Sequence, residues 1–125
     1  MRVHTMLLAA FLIGCTHPGA DVAPRSGAQD VLASEEIERS NAGTLHEAIE
    51  RLRPQFLLSR GRASMRAPNS LLPVVFVDNV PQASIESLRG ISARDVQYVR
   101  FLSAADATTR YGTGYMAGVI EVVLK

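Results

Sequence analysis

Pro73-Val74-Val75-Phe76-Val77-Asp78-Asn79-Val80-Pro81 decides how this chain folds. Five residues with no charge, four of them β-branched or aromatic, form a run of strand length. Asp78-Asn79 follows, two residues that tolerate positive φ and so supply a two-residue hairpin turn. The stretch therefore predicts a buried strand, with Val77 inward, that doubles back at once. Downstream, Ser92-x-x-Asp95 and Ser103-x-x-Asp106 are helix-start signatures, in which a hydroxyl caps backbone N–H groups that have no partner in the first turn. Between them Val96–Leu102 alternates, with Val99 and Phe101 on one side and Arg100 on the other. Gly112 suits the end of a helix, where the chain needs φ > 0. Gly118–Lys125 then closes as a strand with Ile120, Val122 and Leu124 inward and Glu121 outward. Ile85–Leu88 reads as a single helical turn.

Working back from that region, Val31-Leu32 begins a short strand. Ser34 is a candidate N-cap, and Glu35 and Glu36 occupy the first turn, where the helix dipole favours acids. The helix is expected to fade at Asn41-Ala42-Gly43. A second one starts at Thr44, whose spacing to Glu47 fits a capping box, and places Leu45, Ala48, Ile49 and Leu52 on one face. Pro54 stops it. Gln55–Ser59 reads as a short strand and Arg60–Leu71 as a long exposed loop. The sum is an α+β domain, with a small mixed sheet covered by short helices mainly on one face.

These blocks occur in an order that resembles the plug domain of TonB-dependent outer-membrane receptors. The likeness runs through Glu35-Glu36-Ile37, Ala48–Pro54, Pro73–Pro81, Ala93–Leu102, Ala104–Gly114 and Gly118–Lys125, so it covers Val31–Lys125. In that family the plug sits inside a large barrel formed by the same chain. Here the sequence stops at Lys125, where the barrel would begin, so the expectation is a plug-like domain standing alone. The resemblance implies ligand gating and contact with an energy-coupling protein. The family's coupling motif precedes the plug, and Ala20-Asp21-Val22-Ala23-Pro24 does not match it closely enough to assign that contact here.

Residues 1–14 have the anatomy of a secretory signal: Arg2 and His4, then an apolar run from Met6 to Ile13 too short to span a bilayer. Leu12-Ile13-Gly14-Cys15 resembles the bacterial lipoprotein box, which implies cleavage before Cys15 and acylation of its sulfur. Cys15 is the sole cysteine, so no internal disulfide can form. Thr16 follows where Asp would favour the inner membrane, so the sorting pattern implies the outer membrane, with the protein facing the periplasm. Residues 15–29 are rich in Pro, Gly, Ala and Ser and read as a lipidated, flexible tether spanning about 20 Å on average. The domain proper is residues 30–125.

Once Arg2 leaves with the signal, 12 basic side chains balance 12 acidic ones, which speaks against nucleic acid as a partner. His46-Glu47-x-x-Glu50 lacks the second His of a zinc-protease helix and reads as a solvated helix face. Gly112-x-Gly114-x-x-x-Gly118 has neither the spacing nor the strand-then-helix setting of a dinucleotide loop. No cofactor, metal or catalytic residue is expected. Phe56, Tyr98, Phe101 and Tyr111 read as core or sheet-face aromatics. Arg51, Arg53, Arg60, Arg62 and Arg66 crowd five cations into a short stretch, and Arg60, Arg62 and Arg66 are the candidate contacts for an anion or acidic partner. The expected function is a non-catalytic, lipid-anchored binding module of the envelope. The alternative is a transport component acting in trans with a separate outer-membrane barrel.

Overall fold

A computed structural model describes residues 29–60 and 72–125. The signal segment, Cys15, the tether as far as residue 28, Arg62 and Arg66 lie outside the described residues. The elements are β1 (Val31–Ala33), α1 (Ser34–Arg39), α2 (Leu45–Leu52), β2 (Val74–Val77), β3 (Val80–Pro81), β4 (Val96–Leu102), α3 (Ala104–Tyr111) and β5 (Val119–Leu124). Three 3₁₀ segments, Pro54–Phe56, Ile85–Gly90 and Ala93–Asp95, fill the connections. The five strands form one sheet in the order β1-β4-β5-β2-β3. β2 runs parallel to β5 and every other pairing is antiparallel. The mixed α+β sheet expected from the sequence is present.

The hairpin between β2 and β3 forms where Asp78-Asn79 predicts it, with φ of 48° and 67°. Asp78 also ties the turn to the far end of the neighbouring strand: its N–H donates to the Val122 carbonyl at 2.9 Å and its Oδ1 accepts from the Leu124 N–H at 3.1 Å. β3 is one of the two edge strands, with β1 the other; it is only two residues long and ends in Pro81, which blunts it against pairing with another chain. Thr44 caps α2 by accepting from the Glu47 N–H at 3.3 Å, while Glu47 reaches back to the Gly43 N–H at 2.9 Å. Ser103 accepts from the Asp106 N–H at the start of α3, and Gly112 closes that helix at φ 88°.

Three sequence expectations are corrected. Ser34 is the first residue of α1 and not its cap; Ala33 holds the cap position and supplies no side-chain bond. Gln55–Ser59 is not a strand. Pro54, with its fixed φ and no N–H to lose, opens a 3₁₀ turn, and Phe56 swings inward to stack on Phe101 with ring centroids 5.4 Å apart. Val77 is only half-buried, at the mouth of the hairpin, whereas Val75 is fully enclosed.

Two apolar clusters sandwich the sheet. The larger joins Leu32, Val75, Val99, Phe101, Ile120 and Val122 to Ile37 of α1, Leu45, Ala48 and Ile49 of α2, and Leu88 and Ala93 of the 3₁₀ turns. On the opposite face α3 sets Ala107 against Phe76, Leu102 and Val119, with Tyr111 and Tyr115 packed alongside. A bulge between Val96 and Tyr98 shifts the β4 register so that Val96 joins Val99 and Phe101 in the larger cluster, while Tyr98 and Arg100 alternate onto this second face.

Candidate functional site

Arg60 lies over the Phe101 ring, its guanidinium carbon 4.0 Å from the centroid, and donates to the Gln55 carbonyl at 2.9 Å. Arg51 and Arg53 of the same sequence cluster are also engaged. Arg51 holds Glu47 and donates to the Ser40 carbonyl at 2.9 Å. Arg53 pairs with Glu36 at 3.0 Å. Part of each of these cations is thus committed to the fold: Arg51 ties the end of α1 to α2, and Arg60 covers an aromatic that roofs the core. The structure brings Arg60 to the same end of the domain as Leu58, which is exposed. Arg62 and Arg66 lie outside the described residues, as does Cys15.

The most organised polar group is one that alternation alone does not reveal. Glu121 points away from the main core, as expected, yet it is 1% exposed. Cross-strand register sets Arg100 opposite it, and Arg100 grips Oε2 through Nε at 3.0 Å and Nη2 at 2.5 Å. The C-terminal turn of α3 brings Arg110, whose Nη2 lies 2.7 Å from Oε1, and Tyr111, whose hydroxyl donates to Oε1 at 2.9 Å. Arg110 Nε in turn donates to the Tyr111 hydroxyl at 3.2 Å. Phe76 stacks on Tyr111 with centroids 4.2 Å apart and fixes the ring from below. Both carboxylate oxygens are therefore satisfied by charge-assisted bonds.

Burial pushes the Glu121 carboxyl upward. The hydrogen bonds from Arg100 and Tyr111 and the charges of Arg100 and Arg110 outweigh that effect and hold it below its ordinary value of 4.5. The Tyr111 hydroxyl is pushed up, first by burial and then by its bond to Glu121. A glutamate depressed in the folded state contributes stability that is complete above its unfolded value and is lost as pH falls through the folded one. Wild type is accordingly expected to lose stability below about pH 4.5, and Glu121→Gln to lose about 1–3 kcal/mol at neutral pH. Melts of both proteins between neutral pH and strong acid check this: the gap between them should close as the pH falls. Exposed Glu38, lowered by the hydrogen bond and charge of Lys125, titrates in the same range, and the comparison between the two proteins cancels it.

Chemically this cluster is a latch between sheet and helix. Every polar atom of Glu121 is already bonded within the fold, which leaves it no free lone pair aimed at a substrate. His46 lies 3.9 Å from Glu50 across one helical turn, with Glu47 turned to Gly43 and Arg51. Among the described residues no group of three or more His, Cys, Asp or Glu is placed to hold a metal ion. The described residues border two surface clefts of note. One of ≈ 650 Å³ lies between α1 and the Ser92–Arg94 turn, bordered by the Glu38–Lys125 ion pair. One of ≈ 200 Å³ lies beside Leu72 and the segment from Gln82 to Glu86. No helix among the described residues is long and apolar enough to cross a membrane.

No protein-family model and no curated protein matches this chain.

Proposed function

We propose that this chain is a plug-like binding module carried on a lipid anchor at Cys15, held at the outer membrane and facing the periplasm, and that it works by protein contact and not by catalysis. One observation carries this. The blocks that resemble the receptor plug are interlocked in three dimensions as a single unit. The Asp78-Asn79 turn is bonded to β5, β2 lies parallel to β5, and the helix ending in Tyr111-Gly112 is latched to Glu121. Residues far apart in the chain are thus tied together at positions that carry the likeness. The same unit encloses both apolar clusters, so it has the means to fold without a surrounding wall.

The lipobox-like run Leu12-Ile13-Gly14-Cys15 supports the location. Two or more acyl chains anchor a protein stably where one does not. Cys15→Ala is therefore expected to abolish acylation and leave the protein unprocessed or released from the membrane fraction. Mass spectrometry of the mature N-terminus tests this: wild type should begin at an acylated Cys15. An unmodified N-terminus at any other residue would count against the anchored module.

A further inference from the structure

α3 covers only half of the second sheet face. It stands over Phe76, Leu102 and Val119. The half formed by β1, β4 and the end of β5 carries no covering element among the described residues. Register places Val31 beside Arg100, Ala33 beside Tyr98, and Tyr98 beside Val123. Ala33 is exposed; Val31, Tyr98 and Val123 are half-buried. This small apolar strip runs along the latch described above. Arg100 and Arg110 share one carboxylate, that of Glu121, so the cluster keeps a surplus positive charge, and the two side chains remain 33% and 46% exposed.

The geometry points to this half-face as the docking surface for a protein segment that sets a carboxylate beside apolar side chains. The apolar strip takes the hydrophobic part, and the exposed edges of Arg100 and Arg110 take the acid. Charge selects this occupant over the others. A second copy would oppose surplus positive charge with more of the same. Residues 61–71 contain Arg62 and Arg66 and no acid, and in residues 15–29 the single acid, Asp21, is offset by Arg25. The surface rests on the proposed role as a binding module, and it assigns that role a partner chemistry.

The test uses the full-length, anchored protein in its own cells, with photoreactive p-benzoylphenylalanine in place of Tyr98, or in place of Leu58 on the Arg60 side as a control. Light should join the position-98 probe to another protein, at a peptide holding Asp or Glu next to apolar residues. High salt should lower the yield by screening. Placing Ala33→Asp in the same chain should lower it about fivefold relative to Ala33→Lys. Asp at a helix N-cap does not endanger α1, and equal melting of the two variants confirms intact folding. Adducts at position 98 only to lipid, to a second copy or to residues of the same chain would overturn the surface, as would equal yields in the Asp and Lys variants. A protein adduct at position 58 alone removes this surface but keeps the binding role. No protein adduct at either position removes both.

Discussion

Val75→Asp should leave the domain unfolded at room temperature. Val75 is fully enclosed, sits in a strand flanked on both sides, and contributes to the larger apolar cluster. A carboxylate there meets no cation and no water. Burying an uncompensated charge costs about 3–5 kcal/mol, against a total stability of about 5–15 kcal/mol for a domain. The loss of a packed Val adds to this. Val77→Asp is the informative companion, because Val77 is half-buried beside the hairpin and its replacement can reach solvent. Circular dichroism should show a collapsed or absent thermal transition for the first and a lowered but cooperative one for the second. Equal melts for the two would mean that Val75 is no more deeply enclosed than Val77.

Gly118→Ala is the other severe change. A Cβ at this position would lie 2.5 Å from the Leu102 carbonyl oxygen and 2.6 Å from the Phe101 ring, on a backbone with φ of 90°. Neither neighbour can yield: one is strand backbone, and the other is stacked on Phe56 within the core. The Gly118 carbonyl also accepts from the Val74 N–H at 3.2 Å, next to the first residue pair of the parallel ladder. Strain and overpacking together should cost about 3–5 kcal/mol, lowering the melting midpoint by about 15 °C or more. Gly112→Ala isolates the backbone component. Its φ is 88°, but nothing lies within 4 Å of the added Cβ, so a loss of about 1–2 kcal/mol is expected. A Gly118→Ala protein as stable as wild type would contradict the close approach of the two strands.

What could be seen in the sequence follows from the range of each interaction. The Thr44 and Ser103 caps, the Asp78-Asn79 turn and the Gly112 helix end act within four residues, and each forms where its motif stands. The inward faces of β4 and β5 were legible because side-chain alternation needs no knowledge of neighbours. Glu121 was not. Alternation places it off the core face, but only the pairing of β4 with β5 and the return of α3 make that face a buried one and supply two guanidiniums. Gln55–Ser59 misled for a related reason. Its apolar residues fit a short strand, yet with Pro54 ahead a 3₁₀ turn buries Phe56 just as well. Arg60 looked like a loop cation because its partner, Phe101, is 41 positions away and becomes a neighbour only once the sheet has formed.

The central claim, an anchored module that works by holding another protein, meets its most direct test in reciprocal affinity capture from gently solubilised native outer membranes. The tagged chain, carrying Cys15, should retain one partner at near-equal amounts, and that partner, tagged in turn, should retain this chain. The pair should weaken when Arg100 and Arg110 are screened by salt, since exposed charges act over about 10 Å at moderate ionic strength. Recovery of this chain alone from both captures, at low salt and with Cys15 acylated, would contradict it.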